Sequence, residues 1–122
     1  MSLCKYILNI PWSLVGVSNA LLSIPFRVET MPDALVFHCY SCGLAHLFFP
    51  KARGITFGNV IVLRRTAHEK ILEHELIHVE QCMRYPFFFP ILYTVELVRH
   101  GYWKNRFEIE AYDESGTWPL NR

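Results

Sequence analysis

The succession of apolar and polar positions divides the chain into a helical start, a β-rich middle and a helical end. Residues 6–26, YILNIPWSLVGVSNALLSIPF, are mostly apolar, and Trp12 to Ile24 reads as a helix between Pro11 and Pro25. Ala34 to His38 and Leu44 to Phe49 read as two short strands. The turn-rich Cys39-Tyr40-Ser41-Cys42-Gly43 would join them as a hairpin, with a loop over 50–54 beyond. Ile55 to Leu63 is rich in β-branched residues and reads as one strand, bulged at Gly58.

The next segment carries the clearest signal. Thr66-Ala67-His68-Glu69 has the form of a capping box, in which a hydroxyl and a carboxylate three residues on satisfy free amides at a helix start. A helix from there runs to about Arg84 and stops before Pro86. Leu72, Leu76, Val79 and Met83 recur at helical spacing as one apolar stripe, and His74 and His78 lie almost opposite it. An apolar back would rest on the core while a histidine front faces something else. Ile91 to Arg99 reads as a third helix, with Arg99 and His100 near its last carbonyls and Gly101 to end it. Asn105 is placed to cap a last helix reaching about Ser115.

These elements predict an α+β fold: a small, mostly antiparallel sheet, an active helix over the histidines and a C-terminal helical part. A length of 122 residues fits a single domain, 1–122, with 1–30 as a peripheral apolar helix. A 52% hydrophobic fraction is enough for a core, and a net charge of +1 argues against a nucleic-acid partner. The four cysteines lie at 4, 39, 42 and 82; their spacing is poor for a disulfide framework, so reduced thiols in a cytoplasmic setting are expected. The two apolar runs, 6–26 and 86–98, are interrupted by prolines and polar residues and are short of a comfortable span of about 20 apolar residues. They read as buried core or as a surface-docked helix, with an N-terminal signal peptide, a membrane-inserted hairpin or anchor, and peripheral membrane contact as the other readings.

Residues 74–78 are His-Glu-Leu-Ile-His, an H-E-x-x-H motif on the expected helix. Residues four apart sit one above the other, so both imidazoles can reach one zinc ion. Glu75 leaves the helix beside them, where a carboxylate can take a proton from a water that zinc has acidified. With six histidines and nine glutamates, the bare motif arises by chance in roughly 2 of 100 such chains. Its position on a helix, after a β-rich segment and before an acidic one, adds the specificity that the motif lacks. A third ligand is required, and Glu108, Glu110, Asp113 and Glu114 are the candidates. Glu108 and Glu110 leave a helix in nearly opposite directions, so only one can face the metal. With Asn105 as cap, Glu108 could instead close the helix start.

His-Glu-Leu-Ile-His-Val-x-Gln at 74–81, followed by Asn-x-Phe-Glu-x-Glu-Ala at 105–111, resembles the zincin metallopeptidases of the gluzincin group. The likeness is greatest to the small bacterial members called minigluzincins and covers roughly residues 55–113. It implies a zinc-dependent peptidase acting on peptides or proteins, with Glu75 as general base. The group's second-helix Glu-x-x-Ala pattern falls on Glu108-Ile-Glu-Ala111, which makes Glu108 the third ligand beside His74 and His78. Two positions depart from the pattern. Arg106 stands where proline often follows the asparagine, and Tyr112 stands where thermolysin-like enzymes have a supporting aspartate. Oxyanion donors could come from Tyr112, Tyr102, His100 or Tyr85, and Gln81 or Asp113 could orient a ligand histidine. His38-Cys39-x-x-Cys42, with His46 beyond, has local metal-ligand or redox spacing; packed turn cysteines are the alternative, as a small buried hydrophobe is for Cys82.

Overall fold

The computed structural model describes residues 2–47, 49 and 52–119. The elements in chain order are helix α1 (Ser2–Leu22), strands β1 (Pro25–Met31) and β2 (Ala34–Cys39), and a 3-10 turn (Gly43–Leu47). Strands β3 (Gly54–Phe57) and β4 (Val60–Arg64) follow, then helices α2 (Glu69–Arg84), α3 (Phe89–His100) and α4 (Arg106–Ser115). The fold is α+β. Its sheet has the order β1-β2-β4-β3, with β1-β2 and β3-β4 antiparallel and β2-β4 parallel. The sheet is therefore mixed, with a parallel pair at its centre.

The two central strands are apolar on both faces because both faces are covered. Phe37, Cys39, Val60 and Val62 pack with Ala20 and Val17 of α1. The alternate residues Ala34, Val36, Ile61 and Leu63 pack with Val79, Leu72 and Leu76 of α2. The sheet thus lies between α1 and the apolar back of α2, and burying each of the Val, Ile, Leu and Phe side chains contributes about 1.5–3 kcal/mol. A third cluster, Cys82, Phe89 and Phe107, joins α2 to α3 and α4.

Several sequence expectations are corrected here. The first helix is not bounded by Pro11 but runs through it, from Ser2 to Leu22. A proline inside a helix costs about 3 kcal/mol, and tertiary bonds flank it. Asn9 Nδ2 donates to the Cys82 carbonyl, Trp12 Nε1 donates to the Phe87 carbonyl, and Ser13 Oγ accepts from the Asn59 amide. The hairpin partner of β2 is β1, not a strand over 44–49. Residues 43–47 form the 3-10 turn instead, and Phe48 lies outside the described residues, as do Pro50 and Lys51 of the expected loop. The cause is α1, whose Asn19 Nδ2 takes the Cys42 carbonyl at 3.1 Å and draws the chain under the helix end. Gly43 lies there at φ +57, where a Cβ would come within 2.5 Å of Asn19 Oδ1. Ile55–Leu63 is two strands, not one. Gly58 at φ +60 turns the chain rather than bulging it.

The capping box does not form either. Thr66 belongs to the turn leaving β4, and α2 starts at Glu69 with His68 as a cap that makes no side-chain bond. Glu69 still stands in the first turn, where its charge suits the helix dipole. The α3 helix begins at Phe89, earlier than its expected start at Ile91, and ends at Gly101 as expected. The Asn105 cap forms: its side chain accepts from the Phe107 amide at 2.9 Å. The α4 helix ends at Ser115, with Gly116 left-handed behind it.

Candidate metal centre

Two features of α2 bring His74 and His78 into the interior. Its apolar back is held by the sheet, and α4 crosses its other side. The α4 start is fixed by Asn105, which is fully buried, caps the helix and donates through Nδ2 to the Tyr93 carbonyl of α3. Glu108 is then the third residue of α4, one turn in. In a capping box its carboxylate would return to the Asn105 amide. That amide bonds the Tyr102 carbonyl instead, and Glu108 reaches the histidines.

His74 Nε2 lies 3.0 Å and His78 Nε2 3.2 Å from the same oxygen, Oε1 of Glu108. Ligand atoms of these three residues lie within 4.8 Å of one another, so the group could hold a metal ion. The two imidazoles stand edge to face at 4.9 Å. The other Glu108 oxygen accepts from the Tyr93 hydroxyl, and the Tyr93 ring stands edge-on to His78. Burial and the Glu108 charge push the Tyr93 hydroxyl pKa up, so it remains a donor.

The outer nitrogens decide the tautomers. Gln81 Nε2 donates to the Phe107 carbonyl at 3.0 Å and to Glu110 at 2.6 Å, which turns Gln81 Oε1 toward His78 Nδ1 at 2.8 Å. An amide oxygen only accepts, so His78 carries its proton on Nδ1. At His74 the argument passes through two hydroxyls. Ser115 Oγ gives its hydrogen to the Ala111 carbonyl, so Thr117 must donate to Ser115 across their 2.6 Å contact. Thr117 Oγ1 is then an acceptor for His74 Nδ1, 3.4 Å away. With Nδ1 the outer donor on each ring, both Nε2 atoms are turned to one carboxylate oxygen. Three acceptors facing one point are tolerable only with a cation or protons among them.

The titration shifts express the same need. Burial opposes a charge on His78, but the Glu108 carboxylate overcomes it and raises the pKa to about 9. Burial pushes the Glu108 carboxyl up, and the His78 charge with bonds from both imidazoles more than offsets this, holding it below the ordinary carboxylate range. In the metal-free protein a proton on His78 Nε2 bridges to Glu108 Oε1. The donor set, two imidazoles and one carboxylate with outer partners in place, fits zinc.

Glu75 is buried beside this group, next to β3. Thr56 Oγ1 donates to its Oε1 at 2.7 Å. A Cβ at Gly54 would stand 3.0 Å from the Glu75 Cγ, so the glycine makes room for the carboxylate's approach to the strand.

Other expected residues go elsewhere. Glu110 points away from the histidines to Arg84, at 3.0 and 3.1 Å, and to Gln81. Asp113 supports neither histidine; its carboxylate accepts from Trp118 Nε1, and Glu114 is exposed. Of the tyrosine candidates, Tyr112 has its ring 4.4 Å from His74, and its hydroxyl meets that of Tyr102 at 2.8 Å. Tyr85 packs on Phe107 instead, and His100 is exposed at the end of α3. Cys39 and Cys42 gather no metal group among the described residues: their thiols donate to the Ala20 and Ala52 carbonyls, and His38 bonds Glu29. Burial raises the Cys39 thiol pKa and pushes Cys42 up to about 12, so both are packed thiols. Cys82 is likewise buried, its pKa at about 12. Three participants have no sequence signal: Tyr93, Thr56 and Thr117 are common residues brought in by packing.

Comparison with protein-family models, with curated proteins and with solved structures gave no match. The chemistry of the centre is carried by its own geometry.

Gln81 permits a direct check on that geometry. Gln81→Leu removes the acceptor that orients His78 and should lower metal affinity about 10–100-fold. Competition with a chelating dye measures this, and unchanged affinity would remove Gln81 from the site.

Proposed function

We propose that this chain is a zinc-dependent metallopeptidase of the gluzincin kind, with His74, His78 and Glu108 as ligands and Glu75 as general base. The observation that carries the reading is the convergence of two oriented imidazoles on one oxygen of a buried carboxylate. The H-E-x-x-H spacing supports it, as does a carboxylate at position 75 that accepts from the Thr56 hydroxyl. Held by His74, His78 and Glu108, a zinc ion would supply Lewis-acid polarisation of a carbonyl and would lower the pKa of a water. Glu75 takes the proton of the attacking water and returns it to the leaving amine. Thr56 holds that carboxylate in position. The Tyr102 and Tyr112 hydroxyls, whose pKa values are both raised by burial, share one hydrogen across their contact, and the other hydrogen of the pair is a neutral donor for developing negative charge near His74, on which the Tyr112 ring packs. Strand β3 is at the sheet edge next to α2, so an extended peptide could add to it by backbone pairing.

A second reading is a zinc-binding protein of the same fold without turnover. It is favoured by burial, since His74, Glu75, His78 and Glu108 are only 4–6% exposed. The Tyr112 ring covers His74, and Trp118 stacks on Tyr112 at 4.8 Å. A zinc-loaded sample incubated with a mixed peptide library and read by mass spectrometry separates the two. Cleavage that stops on chelation and returns with zinc is expected for the peptidase. Stoichiometric zinc with an intact library would leave the second reading.

A further inference from the structure

Helix α1 has its polarity reversed. Its polar residues face the protein and are bonded there. Asn9 bridges the Cys82 carbonyl and the Phe87 amide, Asn19 holds Cys42, and Ser13 holds Asn59. Its large apolar residues face out, with Leu3 72%, Leu14 60% and Leu21 66% exposed. At about 100° per residue, Leu3, Ile10, Leu14 and Leu21 fall within about 20° of one line along the helix. Ile7, Leu8, Val15 and Leu22 widen that line into a face, and all are exposed. The face continues past the helix through Ile24 and Val28; Val28 pairs with Phe37, which packs under α1, so it stands on the same side of the sheet.

We propose that this face docks on a lipid bilayer, with α1 lying in the plane of the interface. The choice of occupant rests on what the face offers. Along roughly 30 Å of helix, the exposed polar side chains among those described are Cys4, Lys5 and Ser18, and α1 contains no carboxylate. A protein partner would find almost nothing with which to form the usual one hydrogen bond per 100–200 Å². Hydrocarbon asks for none. Lys5 suits anionic headgroups, while Asp33 is engaged by the Tyr6 hydroxyl. No helix among the described residues is long and apolar enough to cross a membrane, so the geometry is that of a helix lying on the surface. A large contiguous exposed apolar face of this kind calls for a cover.

The test is flotation of the full chain with vesicles of phosphatidylcholine, alone or with about a quarter of phosphatidylglycerol. The chain is expected to float with the anionic vesicles. Leu14→Glu with Leu21→Glu should reduce the bound fraction at least about tenfold, and Lys5→Glu about fivefold on anionic vesicles. Circular dichroism checks the fold of each variant, and Leu14→Ser with Leu21→Ser replaces the glutamate pair if that pair does not fold. A chain that stays unbound with both vesicle types would overturn the proposal. So would substituted chains that float like the parent. A concentration-dependent dimer in lipid-free buffer, dissolved by the same substitutions, would assign the face to a second copy and equally overturn it.

Discussion

Glu75→Gln should leave zinc content unchanged and lower peptide turnover by about 10²–10⁴-fold, the range over which a positioned general base acts. The substitution keeps the shape of the side chain and its acceptor oxygen for Thr56, so the 2.7 Å contact to β3 survives. It removes only the ability to take a proton. Glu75 is not one of the three converging ligand residues, and His74, His78 and Glu108 keep their partners without it. Metal analysis beside a kcat measurement on a cleaved library peptide gives both readouts. Turnover that persists in the variant would take the base role from Glu75. Zinc lost together with turnover would show that the carboxylate supports the site instead.

Glu108→Ala should abolish stoichiometric zinc, with affinity falling by more than about 100-fold, the upper end for loss of a mere outer partner. The variant leaves two buried Nε2 atoms and the Tyr93 hydroxyl without the carboxylate they share. Glu110→Ala is the control. Its carboxylate is committed to Arg84 and Gln81, so zinc should be retained. The opposite ranking would move the third ligand to Glu110.

The same carboxylate sets a pH signature in the chelated protein. The folded pKa of His78, raised to about 9 from 6.5, means that its stabilisation is fully present below pH 6.5 and is lost as pH rises through about 9. Glu108 has the opposite sign: lowered from 4.5, its contribution is present above that value and fades as pH falls. Denaturation of the chelated parent should therefore show stability declining between pH 6.5 and 9. Glu108→Ala should flatten this decline, and bound zinc should suppress it by taking the proton's place. A chelated parent equally stable across that window would refute the coupling.

How legible this protein is depends on the range of the interaction concerned. The α2 and α4 helices were readable because their signals are local: a 3.6-residue stripe through Leu72, Leu76 and Val79, a proline after Arg84, and an asparagine cap before Phe107. Strand β1 was missed because it is an edge strand, exposed over much of its length, and its apolar and charged residues carry no burial pattern. Residues 43–47 look β-like yet form a 3-10 turn, because Asn19 captures a carbonyl 23 positions away. The Thr66 box failed because the chain leaving β4 still turns at Thr66 and the helix begins three residues later.

The sequence by itself determined that two imidazoles would lie one turn apart on one helix, with a carboxylate between them and a capped acidic helix downstream. The period of the α-helix and the chemistry of its ends suffice for that. Only the tertiary structure decided that Glu108 rather than Glu110 meets them, since the direction of a side chain on α4 depends on how Asn105, Gln81 and Phe107 dock that helix on α2 and α3. It also decided which nitrogen of each histidine faces inward, through Gln81 and the Ser115–Thr117 hydroxyl pair. Helix α1 makes the same point at larger scale. Its apolar residues are visible in the sequence, but hydrogen bonds from Asn9, Ser13 and Asn19 to distant backbone turned its polar side inward and left the apolar side facing out.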